Sequence, residues 1–187
     1  MNRLPKCKNC KERFVGVNAL QKYCFKDECV KAWVMNEKPK QWKKEKPKRK
    51  EELKTLQDHI NEAQKVFNEF IRMRDKGKPC ISCGKEPKKA NAGHFYNANN
   101  HWSVRFDESN VHLQCEPCNT NLSGNLLKYR DNLIVKIGYE EFERITTLSN
   151  TTRKFTIDEV KQIKEKYKRK VNNLKQLETT CIQPLIK

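Results

Sequence analysis

CISCGKEPKKANAGHFYNANNHWSVRFDESNVHLQCEPCN, residues 80–119, decides how the rest of the chain is read. Cys80/Cys83 and Cys115/Cys118 form two pairs with two residues between the members of each. That spacing lets both thiolates of a tight turn face one ion, and four thiolates are what a structural tetrahedral zinc site needs. Closing the site encloses about thirty residues between Cys83 and Cys115. The enclosed loop holds more reactive chemistry than a clip requires: Gly93-His94, His101, Arg105, Asp107, Asn110 and His112, with Asn119 directly after the last cysteine.

The first four cysteines repeat the theme less regularly. Cys7 and Cys10 are followed by Cys24 and Cys29, read as a second four-thiolate zinc site, with Phe14, Val17, Leu20, Tyr23 and Phe25 as its miniature core. Eight of nine cysteines are thus grouped in fours and Cys181 stands alone as a free thiol. Paired spacing of this kind suits metal better than crosslinks. With no apolar segment after the basic start, it points to a reducing, cytoplasmic-type compartment. No stretch has the apolar length of a membrane span.

The chain has 187 residues, of which 36% are hydrophobic and 34% charged, and a formal net charge of +17. One large apolar core would be hard to fill from that composition, whereas metal-stapled lobes draw folding free energy from the ion. A charge of +17 attracts polyanions and makes their binding salt-dependent, so nucleic acid is the expected partner. The basic segments lack the apolar Trp/Phe face of a membrane-surface helix.

Four segments follow: a knuckle over 1–36, a lysine-rich stretch leading into a long amphipathic helix over 37–76, the cysteine-bounded lobe over 77–148, and a basic helix over 149–187. Pro39 and Pro47 are expected to interrupt regular structure, so 37–50 reads as a linker or an irregular lead into a helix. Glu51–Arg74 reads as helix, with Leu53, Leu56, Ile60, Ala63, Phe67 and Phe70 on one stripe. Thr156 and Glu159 form a capping-box pattern ahead of a stripe of Val160, Ile163, Tyr167, Val171, Leu174 and Leu177. Lys168, Arg169 and Lys170 on that helix, and Lys128 and Arg130 after the central site, are candidate phosphate contacts. So is Arg105, through its fixed donor fork.

The central stretch resembles the His-Asn-His (HNH, or ββα-metal) nucleases. Through AGHF, VRF, DESN, QCEPCN and SGN it is more similar to the phage NinG/Rap recombination endonuclease family. The resemblance implies a small α+β fold: a zinc-stapled treble-clef or ββα-metal core, a long helix before it, C-terminal helices after it and a separate N-terminal four-cysteine zinc knuckle. It further implies two structural Zn²⁺, a catalytic Mg²⁺ or Mn²⁺, and cutting of branched DNA such as Holliday junctions and D-loops. The ends left would be 5′-phosphate and 3′-hydroxyl. Partners of that kind are branched DNA, a second copy of the chain to match a symmetric junction, and phage or host recombination proteins in the host cytoplasm.

Residue by residue, the resemblance makes His94 the general base, Asn110 the brace of the loop carrying it, and Asn119 a ligand of the divalent ion. The chain departs from the pattern at Gly93, where the family has an aspartate or histidine ligand. His112, Asp107 and His101 are candidates to replace it, and His94 itself could be ligand rather than base. Beside this stand plainer readings. Asn110 could be a turn residue, and His112 a core or phosphate-binding histidine. The whole protein could be a zinc-containing DNA-binding module, or an adaptor for an acidic protein, with no catalysis.

Overall fold

The computed structural model describes residues 4–18 and 20–181; the Cys181 side chain lies outside the described residues. The chain divides into two compact units, residues 1–54 and 55–187.

In the first unit a short turn carries Cys7 and Cys10, and a bridge joins Lys6 to Arg13. Helix α1 (Asp27–Glu52) takes up the fourth cysteine in its first turn. This corrects the linker expected over 37–50, because the helix runs through Pro39 and Pro47. Each proline removes only one intrahelical donor. The residues around them are Lys, Glu, Gln and Trp, mostly good helix formers. Around the cysteines only Phe14 and Tyr23 pack. Val17, Leu20 and Phe25, expected as core, are exposed.

In the second unit α2 begins at Leu56, not Glu51, and ends at Arg74. Thr55 sets the start: its hydroxyl accepts from the Asp58 N–H, while the Asp58 carboxylate accepts from the Thr55 N–H. Leu53 falls before this cap and is exposed. The hairpin is β1 (Ala90–His94) antiparallel to β2 (Val111–Cys115), with Gly93 opposite His112 and His94 opposite Val111. Helices α3 (Leu126–Ile137), α4 (Tyr139–Ser149) and α5 (Ile157–Cys181) follow. The expected capping box at Thr156/Glu159 is present, with Thr156 N–H to Glu159 Oε2 at 2.8 Å.

Side-chain alternation gives the hairpin two faces. Val111 and Ala92 look toward α2 and α5, joining Phe67, Phe70, Tyr167 and Val171. On the other side Tyr129 and Leu133 of α3 and Phe142 and Ile145 of α4 form a second cluster. The Tyr129 hydroxyl donates to the Gly93 carbonyl at 2.9 Å, fixing α3 to the hairpin. Leu177 of the expected α5 stripe lies past the end of its partner helix and is exposed. The result is a small α+β unit whose two-stranded sheet is covered by helices on both faces.

Candidate metal centres and a histidine cleft

Cys7, Cys10, Cys24 and Cys29 bring their sulfurs within 4.8 Å of one another, and so do Cys80, Cys83, Cys115 and Cys118. Cys10 and Cys24 stand 3.7 Å apart, Cys83 and Cys115 3.8 Å. Four sulfurs at ~2.3 Å from a tetrahedral zinc would be about 3.8 Å apart, so both groups have the size zinc requires. Crowding also divides the thiols. Burial works against ionising Cys80, but the backbone amides of Cys115, Cys83 and Ser82 outweigh it and bring the thiol to about 7. Burial and the neighbouring thiols push Cys115 up to about 12. Four thiolates cannot share such a space without a cation, and a bound divalent ion removes the conflict.

His94, at the end of β1, lines a cleft of roughly 480 Å³ together with Asn119, Asn97, Asn99, Ser123 and Gly124. Its Nε2 has two neighbours, the Arg105 carbonyl at 3.2 Å, which can only accept, and the Gln64 amide nitrogen at 3.5 Å, which can only donate; the closer contact favours a proton on Nε2. The Nδ1 lone pair is left without a partner among the described residues. Burial, only partly offset by the Arg105 carbonyl and reinforced by the Arg105 guanidinium, lowers the imidazole from 6.5 to about 4. At neutral pH this histidine is uncharged and able to take a proton or bind a metal at Nδ1.

Asn110 is fully buried. Its Oδ1 accepts from the Tyr96 N–H at 2.8 Å, and its Nδ2 donates to the carbonyls of Tyr96 and Val104, both at 3.0 Å. One side chain thus ties together both ends of the loop that follows His94. Asn119 sits in the turn Pro117–Asn121 directly after Cys118. Next to it Ser123, Gly124 and Asn125 have successive positive φ angles of 47, 91 and 46°. Glycine adopts this region freely and asparagine tolerates it, so Ser123 carries the strain, and strain of this sort gathers at working sites.

Arg105 is buried, with Nε donating to Gln64 Oε1 at 2.9 Å and NH1 to the Ala98 carbonyl at 3.2 Å. No carboxylate pairs with it among the described residues. Desolvation lowers its pKa, and the guanidinium lies over the rings of Trp102 and Phe106.

The three residues considered as replacements for a ligand at Gly93 all point elsewhere. Asp107 pairs with Arg144 at 2.8 Å, and His101 Nδ1 reaches the Ser149 carbonyl at 3.0 Å. His112 is on the opposite face of the hairpin from His94, stacked on Tyr129 and 3.2 Å from Arg74. The strand register forces this, since adjacent positions alternate and His112 pairs with Gly93 rather than His94.

Gln114, unnoticed in the sequence, occupies the space at Gly93. A Cβ on residue 93 would lie 2.0 Å from Gln114 Oε1. The amide is oriented by its Nε2, which donates at 2.6 Å to the Gly124 carbonyl and at 2.6 Å to Ser82 Oγ. Its Oε1 is buried with no hydrogen-bond partner. Gln64 is the other contributor that spacing could not reveal, coming from α2 to hold Arg105.

Of the candidate phosphate contacts, Lys128 and Arg169 are exposed, as are Lys168 near Glu165 and Arg130 near Asp131. Lys170 is not free. It is bound to Glu108 and lies over the rings of Phe70 and Tyr167, so it locks α5 onto the loop before β2.

Two four-cysteine groups that could each hold a zinc ion, one in a basic unit and one at a small α+β lobe with a histidine cleft, define a two-unit protein of candidate metal centres. The family described as Bacteriophage Lambda NinG protein matches residues 2–178, and the chain belongs to it. The chain is 37% identical to Protein ninG of Escherichia phage 933W over 91% of its length and 93% of the relative's. Against Protein ninG of Escherichia phage lambda it is 42% identical over 68% of this chain and 62% of that one. Protein ninG of Salmonella phage P22 is 40% identical over 68% and 63%. No solved structure matches.

Proposed function

We propose that the protein is a divalent-metal-dependent endonuclease that cuts branched DNA recombination intermediates. The observation that carries this is the shared cleft: His94, with a free Nδ1, and the amide of Asn119 line the same opening beside an unpaired buried arginine. In the proposed reaction His94 Nδ1 takes a proton as a water oxygen bonds to phosphorus. The phosphorus–O3′ bond breaks and O3′ takes a proton from a second water, leaving a 5′-phosphate and a 3′-hydroxyl. Asn110 keeps the loop carrying Arg105 in register with His94, so the base and the phosphate anchor are positioned before substrate arrives. Arg105 would engage the phosphate through the edge of its guanidinium not used by Gln64 and Ala98.

The donor set fits Mg²⁺ or Mn²⁺. Asn119 offers a neutral hard oxygen, while Gln114, fully buried on the same hairpin face as His112, supports the cleft wall through the Gly124 carbonyl without entering the cleft. Asn119 is the residue assigned to hold the ion, with substrate phosphate and water completing its shell in place of a side chain at 93. When bound, the ion would offset the charge developing on the phosphate oxygens.

A second reading, a DNA-binding module that does not cut, is favoured by the absence of any carboxylate among the described residues lining the cleft. Incubating labelled junction and linear duplex with the protein and Mg²⁺ or Mn²⁺ separates the two. The enzyme requires metal-dependent cutting that His94→Ala reduces at least about 100-fold while junction binding survives. Junction binding without cutting by the wild type sinks the nuclease and leaves the module. Equal cutting of duplex and junction removes the branch preference alone.

A further inference from the structure

The first unit carries a feature that neither its cysteines nor the proposed cleavage explains. Between the loop before α1 and the first turns of α1 lies a groove of about 570 Å³, lined among others by Leu20, Lys22, Tyr23, Phe25, Val30 and Trp33. Val30 and Trp33 are three apart on one helix face, opposite Phe25. Phe25 is 63% exposed, Trp33 39% and Leu20 84%. An aromatic pair left in water beside a four-cysteine group is a standing cost unless something covers it.

Charge identifies the occupant. Residues 1–54 contain seventeen Lys and Arg against seven Asp and Glu, and the groove lining holds Lys22 and no carboxylate. The Lys8 amide is bonded to the Lys22 carbonyl, so a second lysine adjoins that rim. An apolar floor of aromatic rings within a cationic rim is what stacks bases and follows a phosphate backbone at once. A paired base presents no free ring face, whereas an unpaired one can stack on Trp33 and Phe25 while its phosphate meets the lysine. We infer that this groove binds unpaired nucleotides of single-stranded DNA, stacking bases on Phe25 and Trp33 with Lys22 on the phosphate. The choice of DNA rests on the proposed substrate, but the groove's affinity does not depend on whether the histidine cleft cuts.

The test uses the full chain loaded with zinc, without added Mg²⁺ or Mn²⁺, and reads the anisotropy of labelled oligo(dT), oligo(rU) and a duplex across salt concentrations. Phe25→Ala and Trp33→Ala should each weaken oligo(dT) binding roughly 5- to 100-fold, leaving the salt slope and duplex affinity unchanged. Lys22→Ala should reduce the salt slope by about 0.7. Trp33 emission, isolated by subtracting a Trp33→Phe protein, should be quenched by oligo(dT), which keeps the test valid should an alanine variant lose its zinc. Junction cutting is measured separately with Mg²⁺ on the wild type, and its absence would sink the nuclease reading while the oligo(dT) result stands. Wild-type affinity in the zinc-loaded aromatic variants, equal losses on duplex and single strand, or losses confined to oligo(rU) would each overturn the inference.

Discussion

The two cysteine turns are built alike. In the first, the Cys7 amide bonds the Glu12 carbonyl and the Lys11 amide bonds the Cys7 carbonyl; in the second, Cys80 bonds Lys85 and Gly84 bonds Cys80 in the same pattern. Each has an asparagine amide 3.5 Å from a sulfur, Asn9 at Cys29 and Asn125 at Cys118. What surrounds them differs. The first group is the core of its unit, touched by little besides Phe14 and Tyr23, while the second staples a lobe that has three apolar clusters of its own. The same device is the fold in one place and a fastener in the other.

Removing a ligand from each is the most forceful way to break the comparison. Zinc sites of this type contribute on the order of 10 kcal/mol, more than a unit this small can supply otherwise. Cys7→Ser should lower the zinc content from two to one and leave residues 4–36 unprotected in hydrogen exchange. Cys80→Ser should cost one zinc as well and loosen β1, β2 and the turn at 117–121, yet leave α2 and α5 protected. Equal collapse of both units would show that the central lobe's apolar clusters contribute less than their burial implies.

Next in size is Asp75, which the central lobe has and the first unit lacks. It is buried, accepts from Arg74 and Lys78, and meets the Leu113 amide at 3.3 Å, joining the end of α2 to β2. Burial opposes its ionisation, but Arg74 and Lys136 outweigh this and hold the carboxyl far below the usual range. Asp75→Asn should destabilise the second unit by about 3–5 kcal/mol, measured by denaturant unfolding, with no change in exchange over residues 4–54.

Acid should separate the units further. All four histidines lie in the second unit. Burial holds His94 to about 4 and His112 to about 3, both below the 6.5 of an unfolded chain. Between those values the unfolded chain binds more protons than the folded one. The stability contribution is therefore complete above about 6.5 and is lost as pH falls toward 4 and 3. About 2–3 kcal/mol should be gone from the second unit by pH ~5.5, beyond what both zinc sites lose by thiolate protonation. Exchange rates at pH ~7 and ~5.5, corrected for intrinsic chemistry, would show it; His112→Gln should remove about half.

The smallest effect is at the turn itself. Lys11 has φ 65° where its counterpart Gly84 has φ 70°. A side chain in that region costs roughly 1 kcal/mol, so Lys11→Gly should strengthen zinc retention by the first turn about fivefold against a chelator. Gly84→Lys should weaken the second by the same factor.

How much of this could be read beforehand follows from how local each feature is. The two cysteine groups lie in the spacing, and the stripe from Ile60 to Phe70 announces α2. The prolines misled, because one lost hydrogen bond weighs less than the helix preference of the residues around it. The start of α2 was legible in Thr55 and Asp58, but the apolar pattern drew the boundary to Glu51. The cleft was legible only in part. His94 and Asn119 flank the cysteine turn in sequence, whereas Gln64 and Gln114 are defined by what they touch. Gln64 lies 41 residues from Arg105, and no pattern in either segment announces that pairing.

The fit of Gln114 against Gly93 has an evolutionary consequence. With Oε1 standing 2.0 Å from where a first carbon on residue 93 would go, a side chain at 93 requires the Gln114 amide to move or to be shortened. The dependence runs one way, since Gln114 can shrink by itself whereas Gly93 cannot grow while the amide keeps its place. Relatives with a side chain at 93 should therefore carry a smaller or re-aimed residue at 114.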